Sequence, residues 1–108
     1  MLLRYWNKSL KNMAFKINIS AIATRNIDDA LEYYKNVYPS SAKNFKKRLL
    51  EGFNVLKNNP YFLVKYGEVR AFPLKKFPYL LLFDIDEKNK IVNILSVFCT
   101  HQNPEKYP

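Results

Sequence analysis

The chain has 108 residues, the length of one domain, and its 18 Lys+Arg against 9 Asp+Glu leave a formal charge of +9. Hydrophobic residues at 48% and aromatics at 16% exclude a disordered chain. The two glycines, Gly52 and Gly67, stand too far apart for a phosphate-cradling loop, and one His with one Cys excludes a structural zinc site and an internal disulfide. No cofactor or metal is expected. No run approaches the ~20 apolar residues of a membrane span, and the first residues lack the apolar core of a secretion signal. The expected address is the cytoplasm, with no membrane partner.

Residues 1–13 read as a polar, basic extension ahead of a single domain over 14–108, and Met13 is a plausible alternative start. Trp6 argues the other way, because a large aromatic usually packs. Phe15, Ile17 and Ile19 alternate with polar residues, the pattern of a half-buried strand. Over 21–38 the spacing of Ala23, Ile27, Ala30, Leu31 and Tyr34 predicts an amphipathic helix, with Asp28, Asp29 and Glu32 opposite and Tyr33 exposed. Pro39 reads as its stop. Ser40 or Ser41 then reads as the cap of a second helix over 41–58. Its apolar stripe is Ala42, Phe45, Leu49, Phe53 and Leu56, and its outer face is Lys43, Lys46, Lys47, Asn54 and Lys57. So short a link predicts an antiparallel helical hairpin.

The remainder reads as strands. Glu68–Leu74 alternates loosely, with Val69, Ala71 and Phe72 as inward candidates, and 75–78 is a turn. The continuous apolar run 79–85 predicts a central strand buried on both faces. A polar turn at 86–90 leads to a last strand over 91–98 and a tail. The order β-α-α-β-β-β defines an α+β domain, its helical hairpin packed on one face of a small, mostly antiparallel sheet. The charge concentrates in residues 35–76, where ten Lys and Arg face two Glu. Such a field attracts an anionic partner, or simply keeps a solvated face soluble.

Several segments together resemble the RelE/ParE superfamily of toxins from type II toxin–antitoxin systems. They are Ile27-Asp28-Asp29-Ala30-Leu31-Glu32-Tyr33-Tyr34 and the Phe45/Leu49 spine with its break at Asn59-Pro60. Next come Tyr66-Gly67-Glu68-Val69-Arg70 followed by Lys76-Phe77-Pro78-Tyr79, and then Asn93-Ile94-Leu95-Ser96-Val97-Phe98 with Gln102-Asn103-Pro104. The resemblance spans about residues 14–104 and rests on order and spacing rather than on one motif. It implies a cytoplasmic toxin held by an acidic cognate antitoxin that folds on binding. Its target would be DNA gyrase in the ParE-like branch, or mRNA in the ribosome in the RelE-like branch. A non-catalytic basic nucleic-acid-binding module is the reading outside the family.

RelE-like nucleases carry a basic residue after the aromatic of the third strand, and here Tyr79 is followed by Leu80. Many relatives have His where this chain has Cys99, and an Arg pair where it has His101-Gln102. The pattern therefore favours the ParE-like branch and leaves enzymatic activity open. Arg70, Tyr79 and His101 are the catalytic candidates, His101 because it alone titrates near neutrality. Arg70, Lys75, Lys76, His101 and Gln102 are the candidates for target or antitoxin binding. Arg70 reads either as a charge on the open face of the sheet or as a bridge to Glu68 or Asp84. Lys75 and Lys76 read as contacts to phosphate or an acidic partner, or as solvated turn residues. Tyr79 reads as a core tyrosine with a partnered hydroxyl, and Cys99 as a half-buried thiol.

Overall fold

The computed structural model describes residues 14–62 and 64–100. The expectations for residues 1–13 and for the tail with His101 and Gln102 lie outside them. The elements are β1 (Lys16–Ile19), α1 (Ala21–Val37), α2 (Pro39–Asn58), β2 (Val64–Tyr66), β3 (Val69–Pro73), β4 (Tyr79–Asp86) and β5 (Ile91–Cys99). The strands form one sheet in the order β1-β5-β4-β3-β2, with β1 parallel to β5 and every other pair antiparallel. The helical hairpin packs on one face, as the sequence pattern predicts.

Helix α1 starts at Ser20, whose hydroxyl accepts the Ala23 N–H at 3.0 Å and donates to the Leu95 carbonyl at 3.1 Å. One side chain thus satisfies a free helix-terminal donor and ties the helix start to the last strand. The hairpin link is tighter than expected. Tyr38 is the C-cap of α1 and the N-cap of α2, and no serine caps the second helix. Pro39, expected only as a stop, is the first residue of α2, because its fixed φ suits a first turn where no N–H is needed.

The core lies between the hairpin and the sheet. Ala23 and Ala30 of α1, Phe45, Leu49 and Leu56 of α2, and Leu81, Phe83, Val92, Ile94 and Val97 of the sheet are buried, with Phe15 and Leu74 at its margins. At Gly52 a Cβ would stand 3.1 Å from the Phe72 ring and 3.2 Å from Leu81 Cδ1. The missing side chain is what lets α2 lie this close to the strands.

Three expectations are corrected. A short strand, β2, precedes β3; it joins β3 through a turn at Gly67, whose φ is +50°. Three residues carry too little alternation to announce themselves. The inward side of β3 is set by its register: Arg70 stands opposite Phe83 and Phe72 opposite Leu81, whereas Ala71 faces Leu82 on the other side. Finally, β4 is buried on one face only. Leu81 and Phe83 are fully covered by the helices, while Leu80 and Leu82 are half-exposed. With a single helical layer, an apolar run on the second face is left partly in solvent.

Candidate functional site

Strand β1 pairs with β5 only from Ile91 to Ile94. Beyond that point β5 carries a one-residue bulge at Leu95, since Leu82 pairs with Ser96 and Phe83 with Ile94. The edge of β5 then meets α1 instead of a strand. Asn26 Oδ1 accepts both the Val97 N–H at 3.0 Å and the Ser96 hydroxyl at 3.2 Å. The helix side chain stands where a neighbouring strand would have paired.

Below this contact a groove of about 490 Å³ opens to solvent. Asn26, Asp29, Ala30, Tyr33 and Tyr34 of α1 form one wall, and Pro78, Tyr79 and Ser96–Cys99 form the floor and the other wall. Tyr33 is 58% exposed on the rim and packs edge-on against Tyr34, with ring centroids 5.1 Å apart. Tyr34, Phe45, Phe77 and Tyr79 build an aromatic cluster where the end of α1 and the start of β4 meet the start of α2 and the turn before β4. Tyr34–Phe45 is tilted and the other contacts are edge-to-face, which fixes ring orientation as well as burying area.

The hydroxyls of Tyr34 and Tyr79 and the Cys99 thiol meet at the floor of the groove. Burial pushes the Tyr79 phenol well above its ordinary value, and Cys99 and Tyr34 push it further. Tyr34 is raised by burial, then by Cys99. Both phenols are therefore neutral hydrogen-bonding groups at physiological pH and poor bases. Every described residue lining the groove is apolar, aromatic or uncharged-polar except Asp29.

The structure brings Tyr33, Tyr34, Tyr79 and Cys99 together, and Tyr79 has the partnered hydroxyl expected of it. Arg70 lies elsewhere, and neither reading of it holds. It is on the helix side of β3, where its guanidinium donates to the Phe62 carbonyl at 2.5 Å and stacks 5.7 Å from the centre of the Tyr61 ring. Among the described residues no carboxylate is its partner; the chain leaving α2 offers a carbonyl and a ring first. Its register partner Phe83 lies four positions along β4 from Tyr79, about 13 Å at strand rise, so Arg70 and Tyr79, the two catalytic candidates among the described residues, do not converge. Lys75 and Lys76 are exposed on the β3–β4 turn, Lys76 with a φ of 68°. Asn26, Asp29, Pro78 and Ser96 are the groove residues that sequence reading missed. For Asn26 and Asp29 the signal is the row Ile22, Asn26, Asp29, Tyr33 and Val37, which flanks the buried stripe of α1 at helical spacing.

An α+β domain of this topology, with its helical hairpin and an open groove at the end of the last strand, matches known toxins of bacterial and archaeal toxin–antitoxin pairs. Residues 17–104 match the family model of the ParE toxin of the type II toxin–antitoxin system parDE, and the chain belongs to that family. Among solved structures it is similar to a chain of the chromosomal ParDE system of Pseudomonas aeruginosa. The TM-score is 0.71 at 16% identity, over 82% of this chain and 99% of that one. A chain of the archaeal RelE–RelB complex from Pyrococcus horikoshii OT3 aligns with a TM-score of 0.55 at 16% identity, over 83% and 99%. One from the RelBE2 toxin–antitoxin complex of Mycobacterium tuberculosis gives 0.53 at 18%, over 80% and 98%. Comparison with curated protein sequences finds no match. No described helix is long and apolar enough to cross a membrane.

Proposed function

We propose that this toxin acts by docking onto a protein target, DNA gyrase, and that a cognate antitoxin neutralises it by laying an apolar segment with acidic flanks into the α1–β5 groove. The observation that carries this reading is the groove itself: an aromatic rim, a floor of neutral phenols and a thiol, apolar walls and one carboxylate. That lining suits a peptide chain, whose side chains fill it and whose backbone finds the phenols. A ribonuclease needs charge at the scissile phosphate and an acid–base pair beside it. Tyr79 is held neutral and Arg70 is committed to Phe62, which supports the ParE-like mode over the RelE-like one. The charge of +9 steers an acidic partner to the surface, and burial in the groove retains it.

The deciding experiment follows supercoiling and mRNA integrity together. Purified toxin is expected to inhibit gyrase supercoiling, and induced cells are expected to arrest with intact mRNA. Codon-dependent mRNA cleavage with unaffected gyrase would reverse the choice of target. The groove is tested separately with Tyr33→Glu, on an exposed rim position. Antitoxin affinity should fall at least about tenfold, with a melting temperature close to wild type. Unchanged affinity would place the antitoxin elsewhere.

A further inference from the structure

Helix α2 turns a row of lysines to solvent that neither the core nor the groove uses. Lys43, Lys46, Lys47 and Lys57 are all exposed. At the α-helical repeat they fall within about 100° of one another around the helix and extend about 21 Å along it. Leu50 and Asn54 complete the row. The one carboxylate of α2, Glu51, lies to the side and is taken by Arg48 at 3.1 Å. No ion pair among the described residues includes any of the four lysines.

This arrangement does not help the helix. Lys43 lies three and four residues from Lys46 and Lys47, and like charges at those spacings oppose helix formation by a few tenths of a kcal/mol per pair, ~0.2–0.5. No residue lining the groove comes from α2, so a partner seated there leaves the row open. The exposed turn that bears Lys75 and Lys76 is fastened to the same helix. Phe77 packs on Phe45 with centroids 5.4 Å apart, and Leu74 comes beside Gly52.

We propose that this row binds the phosphodiester backbone of a double-stranded nucleic acid. A straight series of point charges matches the linear, regular charge of a duplex, which for B-DNA is one per ~1.7 Å of axis. Leu50, 56% exposed, is the only large apolar side chain among the lysines, too little to anchor an amphipathic peptide by burial. The row has no aromatic platform, which single strands require for stacking. The contact is to phosphates and carries no sequence preference.

The test uses the purified full-length chain and a labelled random duplex of about 24 base pairs, followed by fluorescence anisotropy from about 50 to 200 mM salt. Four phosphate contacts predict that affinity falls roughly 100-fold across that range. The quadruple variant K43Q/K46Q/K47Q/K57Q should lose most of the binding and flatten the salt dependence by about three units of log–log slope. K88Q, at an exposed lysine of the β4–β5 turn and outside the row, should bind as wild type. A duplex RNA of equal length, run in parallel, identifies which duplex is preferred; binding to either one or both supports the proposal. Equal DNA and RNA binding by the quadruple variant and wild type would overturn it. So would displacement of the duplex by polyglutamate at equal charge concentration, which would assign the row to an acidic protein. The quadruple variant should still arrest growth and bind antitoxin, so failure here leaves the groove reading intact, and failure of the groove leaves this one.

Discussion

A single amide oxygen, that of Asn26, holds the upper half of the last strand. It satisfies the Val97 N–H and the Ser96 hydroxyl at once, at the edge where pairing with β1 has stopped. Asn26→Ala leaves both donors without an acceptor and should cost about 1–3 kcal/mol, lowering the melting temperature by roughly 10 °C. Asn26→Asp, which keeps the oxygen, should lose less, and amide exchange at Val97 should rise in the alanine variant alone. Tyr79 gives a second prediction, in pH. Its folded value is raised by burial first and by Cys99 next, so below about pH 10 both folded and unfolded chains keep the proton and stability is flat. Above that the unfolded chain releases its proton first, and stability should decline as pH rises through the folded value. Tyr34 shifts in the same direction from the same leading cause. Tyr79→Phe should show a shallower alkaline decline in melting temperature; an unchanged profile would mean that the phenol does not titrate late. At this scale the sequence was partly legible. Tyr33 exposed and Tyr34 packed follow from helical spacing, whereas the side taken by Arg70 depends on register, which the β2–β3 turn sets and which no local pattern in 68–74 discloses.

Among the elements, the sheet is covered by helices on one side only, and β4 records this in adjacent residues. Leu81→Ala empties a fully buried site against Gly52 and should cost about 2–5 kcal/mol, enough to unfold much of the population at 37 °C. Leu82→Ala, on the half-exposed face, should cost about 1 kcal/mol by the area it withdraws from contact. Equal losses in chemical denaturation would mean that both faces are closed. The helices were legible because stripes at three and four residues have one interpretation. The coverage of β4 was not, because an apolar run reads alike whether one layer or two lies against it. The groove falls between these cases: its tyrosines and its cysteine stand out in the sequence, but their convergence depends on β1 ending at Ile19 while β5 runs on to Cys99.

For the molecule as a whole, the hydrophobic pattern and the order of elements survive at 16% identity to the Pseudomonas aeruginosa ParDE chain. Family membership was accessible from scattered short segments because their spacing maintains a fold. The family match begins at residue 17, and the first described strand begins at Lys16. We therefore propose that residues 1–12 are dispensable for the fold. A chain starting at Met13 should melt within about 2 °C of the full-length protein, less than the shift expected from ~1 kcal/mol. A larger drop would show that Trp6 or Leu3 packs on the body.

The parallel pairing of β1 with β5 joins Lys16 to Ile91 and Ile19 to Ile94, so the two strands are separated by nearly the whole domain. The helical hairpin can assemble locally as it is synthesised, but β1 has no strand partner until β5 has left the ribosome. The toxin surface is therefore born late: the groove needs Ser96–Cys99 in place, and those residues are among the last of the domain to emerge. Closing so long a loop also slows the search for the folded state. A nascent chain stalled with its last exposed residue before Ile91 should stay protease-sensitive and bind no antitoxin. Release of the complete chain should produce both protection and binding in one step. On this account the interval between synthesis and toxicity is set by the pairing of the first strand with the last.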